Sequence, residues 1–224
     1  MILDRTAFIL ENTRPQRPPH TPELVLQLAD EVTPLWRLTE EALAEIGLPP
    51  PFWAFAWAGG QAVARYVLDN PDVVAGRRVI DFAAGSGIVA IAAMKAGAAG
   101  ALAADIDGFC APAVALNAKA NRVEVAFTDQ DLLDRQPPDD ADVILAGDIC
   151  YEQPLAGRVL AWLGAARDAG KTVLIGDPMR TYFPREGLIK LAEYQVPTTR
   201  ELEDYEIKRT SVWTLPPRPE PGRA

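Results

Sequence analysis

Three acids and a pair of glycines hold the chemistry that this sequence offers. Asp81 lies in the apolar run Val79-Ile-Asp-Phe82, Asp105 follows Ala101-Leu-Ala-Ala104, and Asp129 follows Phe127-Thr128; Gly85 and Gly87 stand in Ala83-Ala-Gly-Ser-Gly87, directly after the first run. Short apolar runs of this kind read as strands, and a glycine turn leading into a helix lets a ligand approach the backbone and the free amides of the helix start. Asp105 stands about 18 residues beyond Gly87, close to the spacing of an acid that binds ribose hydroxyls, with Asp107 as its competitor. A dinucleotide site would show G-x-G-x-x-G to seat a pyrophosphate. Here positions 83 and 90 are alanine, and Asp81 would repel a pyrophosphate but suits a cationic amino-acid moiety. S-adenosylmethionine is therefore expected rather than NAD, with Asp129 meeting adenine's amine and Gln130 its ring edge. The competing explanation is a tight strand-to-helix turn with exposed loop acids. It explains the glycines alone better than it explains three acids on one rim of a parallel sheet.

A second constellation, Asp148 and Tyr151 in Val143-Ile-Leu-Ala-Gly-Asp-Ile-Cys-Tyr151, falls just past a later strand, beside the glycine turn. Methyl transfer to a planar amide nitrogen would call for Asn/Asp-Pro-Pro-Tyr at this place, and isoleucine and cysteine replace both prolines. An acid with a phenol can instead hold an amine. Apolar walls lower the pKa of an amine by desolvation, whereas an acid beside it raises that pKa. Asp148 is therefore expected to orient the acceptor and stabilise charge rather than act as general base, and Tyr151 to assist it. The single histidine, His20, lies in a proline-rich lead-in. Trp53, Phe55 and Trp57 either wall the site, Trp57 on the cofactor side, or pack into the core. Cys150 reads as a buried inert thiol rather than a nucleophile. Asp177-Pro178 with Arg180 either shapes a protein-binding surface or is a turn with a solvated arginine.

The elements that must position these residues follow from periodicity. Residues 1–20 are rich in proline and polar residues and read as a flexible lead-in. Leu24, Leu26, Leu28, Ala29, Val32, Leu35, Trp36, Leu38 and Leu43 give an amphipathic helical pattern within a cap region over 21–70, which also holds a helix through Ala64 and Tyr66 to Leu68. From residue 77 strands and helices alternate: strand 79–82, helix 87–96, strand 101–105, helix 109–120, strands 122–127 and 142–147, helix 154–168, strand 172–176. Such alternation implies a mostly parallel sheet with helices on both faces. Two late strands, 188–196 and 205–215, form a closing hairpin, and 216–224 reads as a disordered tail. Residues 21–215 are thus expected to form a single domain, with its core at 77–215.

Composition narrows the function classes. Thirty-one acidic against 22 basic side chains give a net charge of −9, unfavourable for nucleic acid or an anionic membrane. Two cysteines supply neither a disulfide framework nor a zinc cluster. No secretory leader or membrane span is expected, and a reducing cytoplasm fits best.

The sequence resembles the seven-stranded class of lysine methyltransferases that modify the beta subunit of electron transfer flavoprotein, and its bacterial members in particular. The resemblance rests on Trp53-Ala-Phe-Ala-Trp-Ala-Gly-Gly-Gln61, Leu68-Asp-Asn-Pro-Asp-Val-Val74, Ala104-Asp-Ile-Asp107, Gly147-Asp-Ile-Cys-Tyr151, Val173-Leu-Ile-Gly-Asp-Pro178 with Arg180, and Thr210-Ser-Val-Trp213. It implies a Rossmann-like class I methyltransferase with a seven-stranded, mostly parallel sheet, an antiparallel last strand and a helical N-terminal extension. It implies that Asp148 and Tyr151 form the family's Asp-x-x-Tyr catalytic pair. Members commonly carry glycine where Ala83 stands. The expected cofactor contacts are Trp57, Asp81, Ala83, Gly85, Gly87, Asp105, Ile106, Asp129, Gln130 and Gly147, with no metal. The expected activity is transfer of methyl groups to lysine on the flavoprotein subunit. The alternatives are another protein lysine, a small-molecule amine, or a silent cofactor-binding module.

Overall fold

The computed structural model describes residues 4–30, 33, 35, 48–198 and 207–217. Its centre is a seven-stranded sheet in the order β5-β4-β3-β6-β7-β9-β8. The strands are β3 (Arg78–Phe82), β4 (Gly100–Ala104), β5 (Ala126–Thr128), β6 (Val143–Gly147), β7 (Thr172–Asp177), β8 (Ile189–Pro197) and β9 (Ile207–Thr214). β3 to β7 pair in parallel, and β9 runs antiparallel to both β7 and β8. The order reverses between β3 and β6, so the chain leaves these neighbours in opposite directions and opens a crevice beyond their carboxyl ends. Ile80 and Ile144, both buried, stand in register there.

Helices α2 (Ala58–Asp69), α3 (Ile88–Lys95), α4 (Cys110–Asn121) and α5 (Leu155–Asp168) cover the sheet. α3 is apolar on every side, and all six residues from Ile88 to Ala93 are buried, as required of a helix packed against both sheet and neighbouring helices. One core cluster joins α2, α3 and β3, including Val63, Ile91 and Val79; another joins α5 to the opposite face through Val159, Leu163 and Ile175.

The N-terminal segment departs from its expected state. Arg5–Asn12 is a helix, α1, capped by Asp4, whose carboxylate accepts the amides of Thr6 and Ala7 at 3.0 and 3.1 Å. Ile9 is fully buried, and Phe8 meets Phe109 edge-on. Arg14–Gln16 (β1) then pairs antiparallel with Leu26–Leu28 (β2), where a helix was expected. The alternate leucines 24, 26 and 28, all buried, fit the period of a strand as well as one helical face. What decides between them is α4: Asn117 accepts the Gln27 amide at 2.7 Å, and Asn121 accepts the Val25 amide at 3.0 Å while donating to its carbonyl at 2.6 Å. Asn117 also donates to the Ser86 carbonyl, which ties this ribbon to the glycine turn. His20 packs against Tyr194, its ring centre 5.0 Å away, and burial, reinforced by Arg65, lowers its pKa. The rest of the expected helix, including Val32, Trp36, Leu38 and Leu43, lies outside the described residues, as does the tail from 218. No helix among the described residues is long and apolar enough to cross a membrane.

Candidate active site

A cavity of about 340 Å³ opens at the carboxyl ends of β3, β4 and β6. Its floor is the turn after β3, where Ala83, Gly85 and Gly87 adopt left-handed φ angles of 54°, 49° and 76°. For Ala83 this costs roughly 1 kcal/mol relative to glycine. Ala83 and Gly85 line the cavity, whereas Gly87 does not. A Cβ on Gly87 would come within 2.9 Å of Val114 Cγ2, so this glycine seats α3 against α4 instead of meeting a ligand.

Asp105 lines the cavity and holds its floor in place: one carboxylate oxygen accepts the Gly85 amide at 2.9 Å and the other the Asp107 amide at 3.0 Å. The Cys110 thiol bonds to the same carboxylate, which still has acceptor capacity for a ligand. Asp107 also reaches the cavity, but it accepts the Phe109 amide at 2.8 Å at the start of α4. Ile106, between them, is 73% exposed, an unusual position for an isoleucine and one that offers a flat apolar face. Leu132 and Leu133 also line the cavity. Gln130 lines the cavity; Asp129 does not and is exposed. β5 ends at Thr128, whose hydroxyl accepts the Gln130 amide at 3.3 Å, and the chain bends so that Gln130 and Asp131 reach the cavity in place of Asp129. The strand-end position that sets Asp81 and Asp105 on one rim does not carry Asp129 to the cavity lining.

Asp81 also lines the cavity. It is 2% exposed and accepts the Ala90 amide at 2.9 Å, in the first turn of α3. Burial pushes its carboxyl up to about 8, the Ala90 amide works against that rise, and Asp105 adds to it. In the folded protein Asp81 holds its proton up to about pH 8, while in the unfolded chain it loses it near 3.8. Its contribution to stability is therefore intact below pH 3.8 and is lost as pH rises through about 8. Asp177, pushed up to about 7, acts in the same direction. Urea denaturation of the ligand-free protein should accordingly give a lower stability at pH 8 than at pH 5. Asp81→Asn, which keeps an oxygen for the Ala90 amide, should flatten part of that slope; a slope unchanged in the variant would refute the assignment.

The other wall belongs to β6 and α2. Asp148, at φ 58°, directly follows β6 and is 9% exposed. One of its oxygens accepts the Gly60 amide at 2.9 Å, in the first turn of α2, where the helix dipole favours negative charge. The other accepts Nε and Nη2 of Arg180 at 3.0 and 2.7 Å. Arg180 therefore lines the cavity as a part-buried cation rather than a solvated one. α2 can approach this closely because Gly59, Gly147 and Gly176 lack side chains: a Cβ on Gly147 would stand 2.6 Å from the Gly60 amide nitrogen. Gly59 and Gly60, two successive glycines at the start of a helix, are the sequence signal of this contact.

An aromatic roof closes over the mouth. Trp57 donates its indole N–H to the Phe52 carbonyl at 2.9 Å, and its ring lies 5.9 Å from those of Phe52 and Phe55. Tyr151 meets Phe52 at 5.6 Å and is 43% exposed; burial of its remainder raises the phenol pKa, so it stays protonated at neutral pH. Trp53 belongs to the core instead, stacked on Phe109 at 5.4 Å. Cys150 is fully buried and pushed up to about 12 by that burial, hence inert as a nucleophile.

This sheet order, with a glycine turn after β3, an acid at the tip of β4 and a cavity at the reversal point, defines a class I, S-adenosylmethionine-dependent methyltransferase. Solved structures agree on the fold: magnesium protoporphyrin IX methyltransferase from Synechocystis PCC 6803 with bound SAM (TM-score 0.51, 14% identity, 70% of this chain and 78% of that one) and the ribosomal protein L11 methylase from Lactobacillus delbrueckii subsp. bulgaricus (TM-score 0.50, 19% identity, 72% and 80%). Residues 64–150 match the family model described as ribosomal protein L11 methyltransferase (PrmA).

The chain belongs to the electron transfer flavoprotein beta subunit lysine methyltransferase family. It is 37% identical over 219 residues to the Danio rerio member (95% of this chain, 84% of that protein) and 36% identical over 218 residues to the Homo sapiens member (94% and 82%).

Proposed function

We propose that this protein transfers methyl groups from S-adenosylmethionine to lysine side chains on the beta subunit of electron transfer flavoprotein. The observation that supports the chemistry is an acid and a phenol, Asp148 and Tyr151, lining one cavity with Asp105 and Asp81. The acceptor protein comes from kinship with relatives so named over nearly the whole chain.

The cavity fits the cofactor on its own evidence. Asp81 is a buried carboxyl whose perturbing groups are the Ala90 amide and the Asp105 charge, with no side-chain cation of the described residues among them. A cationic amino-acid moiety supplies that missing charge. In this reading Asp105 accepts the ribose hydroxyls, Ile106 and Leu132 flank adenine, Gln130 and Asp131 serve its polar edge, and Trp57 and Gly147 border the reacting end. The bound cofactor supplies a methyl group on a sulfonium, electrophilic enough that alignment of the amine is the enzyme's main task. Asp148 orients that amine, Tyr151 donates or accepts beside it, and Phe52, Phe55 and Trp57 keep water out.

Asp105→Ala should weaken S-adenosylhomocysteine binding by about 2 kcal/mol or more, roughly 30-fold, because two charge-assisted bonds are lost. Asp129→Ala should leave it within about twofold, in keeping with the small effects of surface substitutions. Calorimetry distinguishes the two, and equal losses would return Asp129 to the site. The acceptor is tested by intact-mass spectrometry of recombinant flavoprotein incubated with the protein and S-adenosylmethionine. Mass steps of one methyl on the beta subunit are expected. An unmodified subunit, with label passing into other proteins or small molecules, would overturn the acceptor. The acidic balance of the chain argues against a polyanionic acceptor, and its two buried free thiols suit a reducing cytoplasm.

A further inference from the structure

We infer that Arg180 discharges Asp148 and thereby makes the acceptor mouth select the neutral amine over the ammonium, an inference that rests on the lysine-methylating role proposed above. Lysine in water is almost wholly protonated at neutral pH, and only the unprotonated nitrogen has the lone pair that attacks a methyl. A lone carboxylate at the mouth would work against this, because it binds the ammonium and holds its proton on.

Asp148 is not alone. Its Oδ1 accepts both Nε and Nη2 of Arg180, and its Oδ2 is taken by the Gly60 amide. The two side chains are only 10% and 18% exposed, so solvent screens the pair weakly. Arg180 is itself fixed. Its backbone N–H donates to Asp177 Oδ1 at 2.7 Å, and its guanidinium lies 5.5 Å from the centre of the Trp57 ring. Guanidinium does not deprotonate in proteins, so Arg180 offsets the carboxylate charge wherever Asp148 is ionised. An arriving ammonium gains little from it and loses its water to an aromatic roof, while a neutral amine loses far less. The proton passes to bulk water before the nitrogen docks, and the lone pair remains free.

The other charged groups that the described residues place around the cavity are consistent with this assignment. Asp81, Asp105, Asp107 and Asp131 line the cofactor side of the cavity, and Arg158, from α5, pairs with Asp131 and Asp134. On the acceptor side stand Tyr151, whose phenol is raised and neutral, the exposed Glu152, the buried thiol of Cys150, and Asp177 behind Arg180. Asp177 is fully buried, and its burial leaves it no more than partly ionised at neutral pH. Arg180 is thus a positioning and charge-setting residue acting through Asp148.

The test is the pH dependence of kcat/KM with recombinant flavoprotein beta subunit as acceptor, for the unmodified protein and for Arg180→Gln, Arg180→Lys and the double variant Asp148→Asn/Arg180→Gln. Removing the cation alone should move the acidic limb up by about one pH unit or more, with much of the rate recovered at high pH. Arg180→Lys should keep the limb near its original place, and so should the double variant, which restores neutrality without either charge. S-adenosylhomocysteine affinity, measured in parallel, shows that each variant is folded. A lower rate at every pH with an unmoved limb would make Arg180 merely structural and overturn the inference. So would a lower acceptor KM with an unmoved limb, the mark of an arginine that only occupies the lysine's place. Unmodified protein that methylates the subunit at no pH would defeat the lysine reading itself, an outcome distinct from these.

Discussion

Replacing Asp148 with alanine should reduce methyl transfer by about 100-fold or more, the scale on which a misplaced reacting group costs rate. The same change should destabilise the fold by about 3–5 kcal/mol, as removal of one partner from a buried ion pair does. Both effects have one origin. The Asp148 carboxylate joins the first turn of α2, through the Gly60 amide, to the guanidinium of Arg180. Without it a part-buried cation and a buried N–H each lose this acceptor, and the wall facing the glycine turn loses its alignment. Asp148→Asn separates the two consequences. Asparagine tolerates the left-handed backbone at this position and can still accept the Gly60 amide, but leaves Arg180 unbalanced. It should recover part of the stability and little of the rate. Mass-spectrometric initial rates and urea denaturation check these outcomes, and an alanine variant with ordinary turnover would remove Asp148 from the site.

Gly176→Ala should be the most damaging glycine-to-alanine change among the described residues. A Cβ there would lie 2.1 Å from the Gly59 carbonyl oxygen and 2.6 Å from Val63 Cγ2. The first is backbone of α2, so relief requires the helix to move away from β7. The expected cost is about 3 kcal/mol or more, at the upper end for overpacking, or roughly 6–12 °C in Tm for a chain of this size. Because the same turn of α2 presents the Gly60 amide to Asp148, cofactor affinity and turnover should fall as well. Gly164→Ala is the control: it lies inside α5 with nothing within 4 Å of the added carbon, and the better helix propensity of alanine should raise stability by about 1 kcal/mol. Thermal denaturation of the two proteins side by side gives the answer. Equal melting points would mean that α2 does not pack on β7 as described.

Much of the framework was legible from local pattern. The alternation from residue 77 onward placed each core strand and helix within a few residues of its observed bounds, because apolar runs between glycine turns admit few other states. The late pair, Ile189–Pro197 and Ile207–Thr214, showed the alternation of a half-exposed ribbon and forms one. In the N-terminal segment a short capped helix forms ahead of the prolines at 15, 18 and 19, and the alternate leucines satisfy two periods at once. Only the asparagines of α4, about 90 residues later, decide between them.

The sequence by itself determined the kinds of chemistry: a glycine turn after a strand, acids at successive strand ends, and an acid with a phenol past a later strand. These are local facts, since strand, turn and helix follow from residue type and period within a dozen positions. Tertiary structure alone decided which of those groups meet. It removed Asp129 and Gly87 from the cavity, brought in Asp131 and Phe52, and set Arg180 against Asp148 across 32 positions of chain. The reason is physical. A cavity is made by elements distant in sequence, and the three glycines that let α2 lie against β6 and β7, Gly59, Gly147 and Gly176, set the separation between its walls.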